Sequence, residues 1–428
     1  MLRRQAGIQT GPHQEYNVNR KVSLDTAAGR IEGSYDPRFE NVFHAFHDNF
    51  TQHNEVGASV ALTLDGRRLV DLWGGRHPGG EPWQHDTVCT VFSSTKGAMA
   101  LCAHLLCERG LLDLDAPVTR YWREFGAGGK DAARVSMTLD HTVGVPHLRE
   151  PPKSGGFWDY DYMVERVAAE PAFWEPGTRQ GYHGLTMAWT VAELVHRAAR
   201  RRLGRFFDEE LARPLELEFW IGLPETIEQR VSPMIAATPD NPWIATRFVQ
   251  TALNVAGSPT NLFMRDFAQF DVNTRACHAA EVGSANGIAN ARGLAGLYAP
   301  FANGGSLNGR QFVGRDTLTR MSRVAAATGE DATLMIPVRF ASGFMKSMDN
   351  RRIPNCINSS MLLSESAFGH VGAGGSIGFA DPECKLSFGY AMNRMGTGVL
   401  LNERGQSLVD AAYLALGYRS SAGGAWTA

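Results

Sequence analysis

The hydrophobic period of the chain changes twice, and the order of those changes restricts the folds open to it. From Asp36-Pro37 the apolar residues Phe39, Val42, Phe43, Phe46 and Phe50 recur at three- and four-residue steps, which predicts a helix. The period then drops to two. Gly57–Leu64 and Arg67–Trp73 read as strands joined by an Asp65-Gly66 turn, and Gly74-Gly75 closes the hairpin. From about Phe92 to Pro300 the pattern is mostly helical. It includes Ser93–Arg109, ended by a Gly110 cap, Leu185–Arg202 with an apolar stripe through Met187, Val191, Leu194 and Ala198, and Ala291–Ala302. Strand patterns return at Val338–Phe344, Ser376–Ala380 and Lys385–Met392, and Ser407–Leu416 reads as a final helix. Strands at both ends with helices between them predict an α+β chain. Residues 36–91 and 301–428 would build a sheet-containing domain, with a mainly helical domain, 92–300, inserted. Residues 1–35 are polar, lack periodicity and are expected to form a loosely held arm.

Composition excludes several classes of function. A chain of 428 residues is long enough for two or three domain-sized units at roughly 150 residues each. Its 42 basic and 44 acidic residues leave a net charge of −2, so no nucleic-acid surface or acidic tail organises it. Six cysteines occur without a Cys-x-x-Cys pair, and Cys102 and Cys107 read as small core residues. No His-Glu-x-x-His and no Gly-x-x-x-x-Gly-Lys-Ser/Thr is found, so neither a metal nor a nucleotide cofactor is expected. The basic N-terminus runs into polar sequence, and no stretch of roughly 18 apolar residues follows anywhere. The expectation is a cytoplasmic protein without membrane or nucleic-acid partners, its oligomeric state open.

Of the 42 basic residues, 36 are arginine, and lysine occurs only at 21, 96, 130, 153, 346 and 385. Lysine is the basic side chain whose pKa a protein can lower into a useful range, so any catalytic ammonium comes from this short set. Only Lys96 has a serine three residues before it, in Phe92-Ser-Ser-Thr-Lys-Gly97 at the start of an apolar helix. Residues i and i+3 share a helix face, so Lys96 can reach the Ser93 hydroxyl. A serine becomes nucleophilic when a base takes its proton, and lysine serves once burial and a helix N-terminus depress its pKa. The Ser93 N–H at that position supplies half of an oxyanion hole. The competing reading is a chance Ser-x-x-Lys on a solvated face, which apolar Phe92 and small Gly97-Ala98 disfavour.

Phe92–Gly97, with Leu72-Trp-Gly-Gly75 before it and Arg109-Gly-Leu-Leu-Asp-Leu-Asp-Ala-Pro117 after it, resembles the serine β-lactamase-related superfamily. The similarity is to the class C-like branch that includes family VIII carboxylesterases and transesterases, and it extends from about Asp36 to Tyr418. It implies a β-lactamase-like serine hydrolase fold, an antiparallel sheet flanked by helices, with the Ser-x-x-Lys helix at the interface with the helical insertion. It also implies a tyrosine that relays protons. Glu175-Pro-Gly-Thr-Arg-Gln-Gly-Tyr182 matches that motif, and an adjacent Lys96 ammonium is expected to lower the Tyr182 pKa; Tyr160 and Tyr162 are rivals. Phe368-Gly-His370-Val-Gly372-Ala373 takes the place of the family's Lys-Thr-Gly strand. By resemblance His370 holds the lysine position, Gly372 lets substrate approach, and Ala373 N–H completes the oxyanion hole. The alternative for His370 is a satisfied edge-strand histidine. Trp73, Trp83, Phe157, Trp158 and Trp174 are candidate aromatic walls, and Tyr160, His183 and Asn286 are further pocket candidates. Gly374-Gly-Ser376-Ile-Gly378 matches a nucleophile elbow, but strand-like sequence follows Ser376 where that motif needs a helix.

The departures from the family pattern direct the functional reading. The Tyr-x-Asn of class C β-lactamases is Tyr182-His183-Gly184 here, Lys-Thr-Gly is His370-Val371-Gly372, and no Ser-Asp-Asn occurs. A β-lactam carboxylate favours a permanent cation, which a neutral histidine does not supply. The expected activity is therefore a carboxylesterase cleaving small or medium acyl esters through a Ser93 acyl-enzyme, with Lys96 and Tyr182 moving the proton. The alternatives are an acyltransferase acting on a natural-product hydroxyl, a weak β-lactamase or D-amino-acid amidase, and a catalytically silent binding protein of the same fold.

Overall fold

The computed structural model describes residues 19–428. Its centre is a seven-stranded antiparallel sheet: β1 (Arg20–Thr26), β2 (Gly29–Tyr35), β3 (Gly57–Leu64), β4 (Arg67–Gly75), β5 (Phe368–Val371), β6 (Ile377–Asp381) and β7 (Leu386–Met392). The strands lie in the order β1-β2-β4-β3-β7-β6-β5. Asp65 and Gly66 both take positive φ, 50° and 74°, which gives the β3–β4 turn the twist a two-residue hairpin needs. The two ends of the chain meet where β7 pairs with β3, from Leu386 opposite Leu64 to Met392 opposite Ala58.

One expectation is corrected. Residues 20–35 are not an arm but the edge hairpin of the sheet, with β2 paired to β4 from Ile31–Gly74 to Tyr35–Val70. Val22 and Leu24 alternate with Lys21, Ser23 and Asp25, a strand signal only two apolar residues long within polar sequence; most β1 side chains are exposed, and the backbone ladder and buried Ile31 and Tyr35 hold the hairpin in place. The remainder of the expected arm, residues 1–18, lies outside the described residues.

Side chains alternate across the sheet, and each face carries its own helices. Val60, Leu62, Phe388 and Tyr390 point toward α1 (Glu40–Thr51) and the C-terminal helix Glu403–Ala415, packing with Phe46, Leu408 and Ala412. Ala61 points the other way, onto Ala291 and Ala295. Between the sheet halves the chain forms α2 (Thr95–Glu108), α3 (Met187–Ala199), the paired helices α4 (Arg247–Asn254) and α5 (Pro259–Ala268), and α6 (Ala291–Ala302). The C-terminal helix is α7. Helix α6 lies against β3, β6 and β7, so the sheet layer begins before residue 301.

Glycine lets α6 approach this closely. A Cβ on Gly389 of β7 would fall 2.3 Å from Ala291 O and 2.7 Å from Ala295 N, and one on Gly378 of β6 would fall 2.8 Å from the Tyr298 ring. Overpacking of this kind costs about 1–3 kcal/mol. Gly389→Ala is accordingly expected to lower the urea midpoint by that amount of stability with an unchanged denaturant slope, read from an equilibrium unfolding curve.

Candidate active site

The backbone turns sharply just before α2. Cys89–Thr90 is a short buried strand, and Phe92 then adopts the left-handed region at φ 45°. A bulky residue there costs on the order of 1–3 kcal/mol and persists only where its surroundings enforce it. The Phe92 side chain, 2% exposed, is anchored in the core beside Phe267, with ring centroids 6.0 Å apart. Ser93 follows in a single 3₁₀ turn, Phe92–Ser94, that feeds into α2. One residue past Lys96, a Cβ on Gly97 would lie 1.9 Å from Tyr298 Oη, so the first turn of α2 sits directly against α6.

Lys96 is completely buried. Its Nζ lies 2.8 Å from Gly184 O, 2.8 Å from Ser284 O and 3.1 Å from Ser93 Oγ. Burial alone holds the ammonium well below the ordinary lysine value, and no carboxylate among the described residues pairs with it. In the neutral amine two N–H bonds satisfy the two carbonyls, which leaves the lone pair facing the Ser93 hydroxyl.

Tyr182 approaches from the other side. Its O–H donates to Ser93 Oγ at 2.8 Å, and Lys96 Nζ sits 4.8 Å from the centre of its ring. The expected lowering of its pKa is not found. Burial raises the phenol above the ordinary tyrosine value, and the buried Asp331 raises it further. With Lys96 depressed as well, no standing positive charge is present to stabilise a phenolate. The pair is a neutral amine and a neutral phenol sharing one serine oxygen.

The cavity at Ser93 has a volume of about 290 Å³ and no charged residue in its lining. Tyr182, Gly372 and Ala373 border it with Ser93, whereas Lys96 does not. Gly372 is required at its position, since a Cβ would lie 2.2 Å from Val91 O. Its N–H is already donated to Ser376 O at 2.8 Å, while the next one, on Ala373, has no acceptor among the described residues. Trp243, Phe248, Phe263 and Phe267, from α4, α5 and the turn before them, form the aromatic side of the cavity.

Several expected site residues stand elsewhere. His370 lies on β5 behind Tyr182, ring centroids 6.2 Å apart, and does not line the cavity. Its Nδ1–H donates to Val371 O at 2.7 Å, and burial pushes its pKa down to about 3, so it is a neutral strand histidine. His183 is buried too, bonded through Nδ1 to Gly181 O and accepting from Val145 N–H at Nε2. Asn286 spans its own loop, donating to Cys277 O and Ala280 O and accepting from Val282 N–H, which supports the nearby Ser284 carbonyl. Tyr160 donates to Glu193, and Trp158 packs at a tilt against Phe270, ring centroids 4.9 Å apart; neither borders the cavity. The walls expected from Trp73, Trp83, Phe157 and Trp174 are likewise absent from its lining. Ser376 is buried, donates to Val91 O at 2.9 Å and leads into β6, so it is no elbow.

Asp331 follows Glu330 at the start of Ala332-Thr-Leu-Met-Ile336, a pattern that does not distinguish it. It is completely buried, and its Oδ1 accepts N–H bonds from Tyr182 at 3.0 Å and from Thr333 and Leu334 at 2.8 Å. The side chain thus fixes the backbone that presents the Tyr182 phenol.

A mixed sheet-and-helix frame with a serine, a buried lysine and a tyrosine on one hydroxyl is the serine hydrolase architecture of the β-lactamase-like fold. The family model described as Beta-lactamase matches residues 39–413, and the chain belongs to that family. It is 32% identical over 388 residues to Esterase/beta-lactamase LipL of Mycobacterium tuberculosis, across 88% of this chain and 86% of that one. A solved family VIII carboxylesterase superposes with a TM-score of 0.77 at 34% identity, covering 90% of this chain and 99% of that chain. EstA from Arthrobacter nitroguajacolicus gives 0.75 at 30% identity, over 92% and 99%.

Losing the Asp331 carboxylate leaves three buried N–H groups without an acceptor, at about 1–3 kcal/mol for each one left unsatisfied. Asp331→Ala is expected to be destabilised by at least that much in chemical denaturation. Asp331→Asn, whose amide oxygen accepts the same bonds, is expected to keep most of the wild-type stability.

Proposed function

We propose that this protein is a serine carboxylesterase whose nucleophile is Ser93. The observation that carries the reading is the placement of Ser93 Oγ between a buried lysine nitrogen and a buried phenol, at the edge of an uncharged cavity. Neutral Lys96 takes the Ser93 proton as Oγ attacks the ester carbonyl, forming the Oγ–C bond and an oxyanion. The N–H groups of Ser93 and Ala373 receive that oxyanion. The C–O bond to the alcohol then breaks. Tyr182 borders the cavity and Lys96 does not, so Tyr182 O–H delivers the proton to the leaving alkoxide and is reprotonated from the Lys96 side. Water enters by the reverse route, gives its proton to the same pair and releases the acid.

The lining supports an ester over a β-lactam. A β-lactam carboxylate entering this cavity would lose water without meeting a cation, which is costly, whereas an ester brings no charge. The aromatic side of the cavity suits an apolar acyl or alcohol group.

Hydrolysis of p-nitrophenyl esters tests the assignment. Wild-type protein is expected to turn over butyrate and hexanoate esters, and Ser93→Ala to lose at least about 10³-fold in kcat while remaining folded. A Ser93→Ala protein with near-wild-type turnover would remove the basis of the proposal.

A further inference from the structure

We propose that a second cleft, behind the strand edge that borders the catalytic cavity, binds a small organic phosphate through Lys346, Arg315 and Arg323. The segment carrying Met345 and Lys346 bridges to Phe340 on one side and to Gly369 of β5 on the other. Successive residues on an extended segment point to opposite faces. Met345 lines the Ser93 cavity, and Lys346 lines a separate cleft of about 720 Å³.

Lys346 is the unusual member of this cleft. It is 3% exposed, yet its ammonium makes no hydrogen bond and no ion pair among the described residues. The other two buried lysines are each held by backbone carbonyls, Lys96 by Gly184 and Ser284 and Lys130 by Ala127, Ala168 and Glu170. The ammonium tip is not sealed off but opens onto the cleft, where an external anion can pair with it. Burial pushes its pKa down only to about 8, with Glu365 and Asp381 opposing the shift and Arg339 adding to it, so it stays mostly protonated at neutral pH.

The charges around Lys346 point the same way. Arg315 and Arg323, at the two ends of the helix Arg315–Ser322, border the cleft without an ion pair among the described residues. Glu365 is the one carboxylate in the lining, and Arg339 already grips both of its oxygens. Arg315 and Arg323 stand about 12 Å apart along the helix at roughly 1.5 Å per residue, with Lys346 the third cation of the lining, and a group with three acceptor oxygens can pair with more of these than a two-oxygen carboxylate can. The cleft is also larger than a phosphate ion needs, and Leu318 and the 38% exposed Val324 give it an apolar wall for an organic substituent.

Calorimetric titration of the full chain with phenyl phosphate tests the site. The expected result is saturable one-to-one binding, weakened by salt and by at least about tenfold in Lys346→Met and in the surface variant Arg323→Gln. Both variants should keep wild-type ester turnover without added phosphate, and benzoate should bind more weakly than phenyl phosphate. Absence of saturable binding would overturn the proposal. So would affinity unchanged in Arg323→Gln, benzoate binding as tightly, or competition between phenyl phosphate and the ester at Ser93.

Discussion

The burial of Lys96 without a counter-ion is the constraint on which the site depends. An ammonium sealed from water and paired with no anion carries a desolvation penalty of several kcal/mol, which the side chain escapes by giving up its proton. The surrounding structure is arranged to make that neutral form specific. Two carbonyls from distant segments, Gly184 ahead of α3 and Ser284 ahead of α6, occupy its N–H bonds. The remaining electron pair has one partner in reach, Ser93 Oγ. Glycines at 97, 378 and 389 let α2 seat closely on α6 and α6 on the sheet, which fixes the start of α2 beside this pocket.

The same absence of charge extends through the neighbourhood. Tyr182 remains a phenol, and His141, His183 and His370 are all pushed toward the neutral form by burial. In such a medium a proton moving from serine to lysine creates charge where little solvent screens it. Under the proposed mechanism the developing oxyanion would be stabilised by fixed N–H dipoles and by the new ammonium together. This links the uncharged lining of the cavity to the choice of substrate. A neutral ester adds no charge until the reaction itself creates one.

Local patterns in the chain made much of this legible. The Ser-x-x-Lys spacing placed Lys96 against Ser93 because three residues make one helical turn, and the alternation in β3, β4 and β7 foretold a sheet joined from both ends. Features held by backbone bonds or by distant packing left no such trace. The β1–β2 hairpin rests on a backbone ladder whose outer strand exposes most of its side chains, and its short apolar alternation is lost among polar residues. Asp331 binds three main-chain N–H groups, partners that no residue type announces. Phe248, Phe263 and Phe267 have the spacing of ordinary core residues on short helices, and only the tertiary fold turns them toward Ser93. Trp158 and Tyr160 misled because aromatic residues near glycine-rich loops serve the core as readily as a pocket.

The most direct test of a neutral lysine acting on Ser93 is the pH dependence of covalent labelling by a fluorophosphonate, with the modified residue mapped by peptide mass analysis. Below the Lys96 pKa the amine is protonated and cannot accept the serine proton, so labelling rises with pH through that pKa. Modification of Ser93 is expected, with a rate that reaches its plateau well below the ordinary lysine value of about 10.4. Labelling of Ser376, or a Ser93 rate that climbs only near the ordinary lysine value, would contradict it.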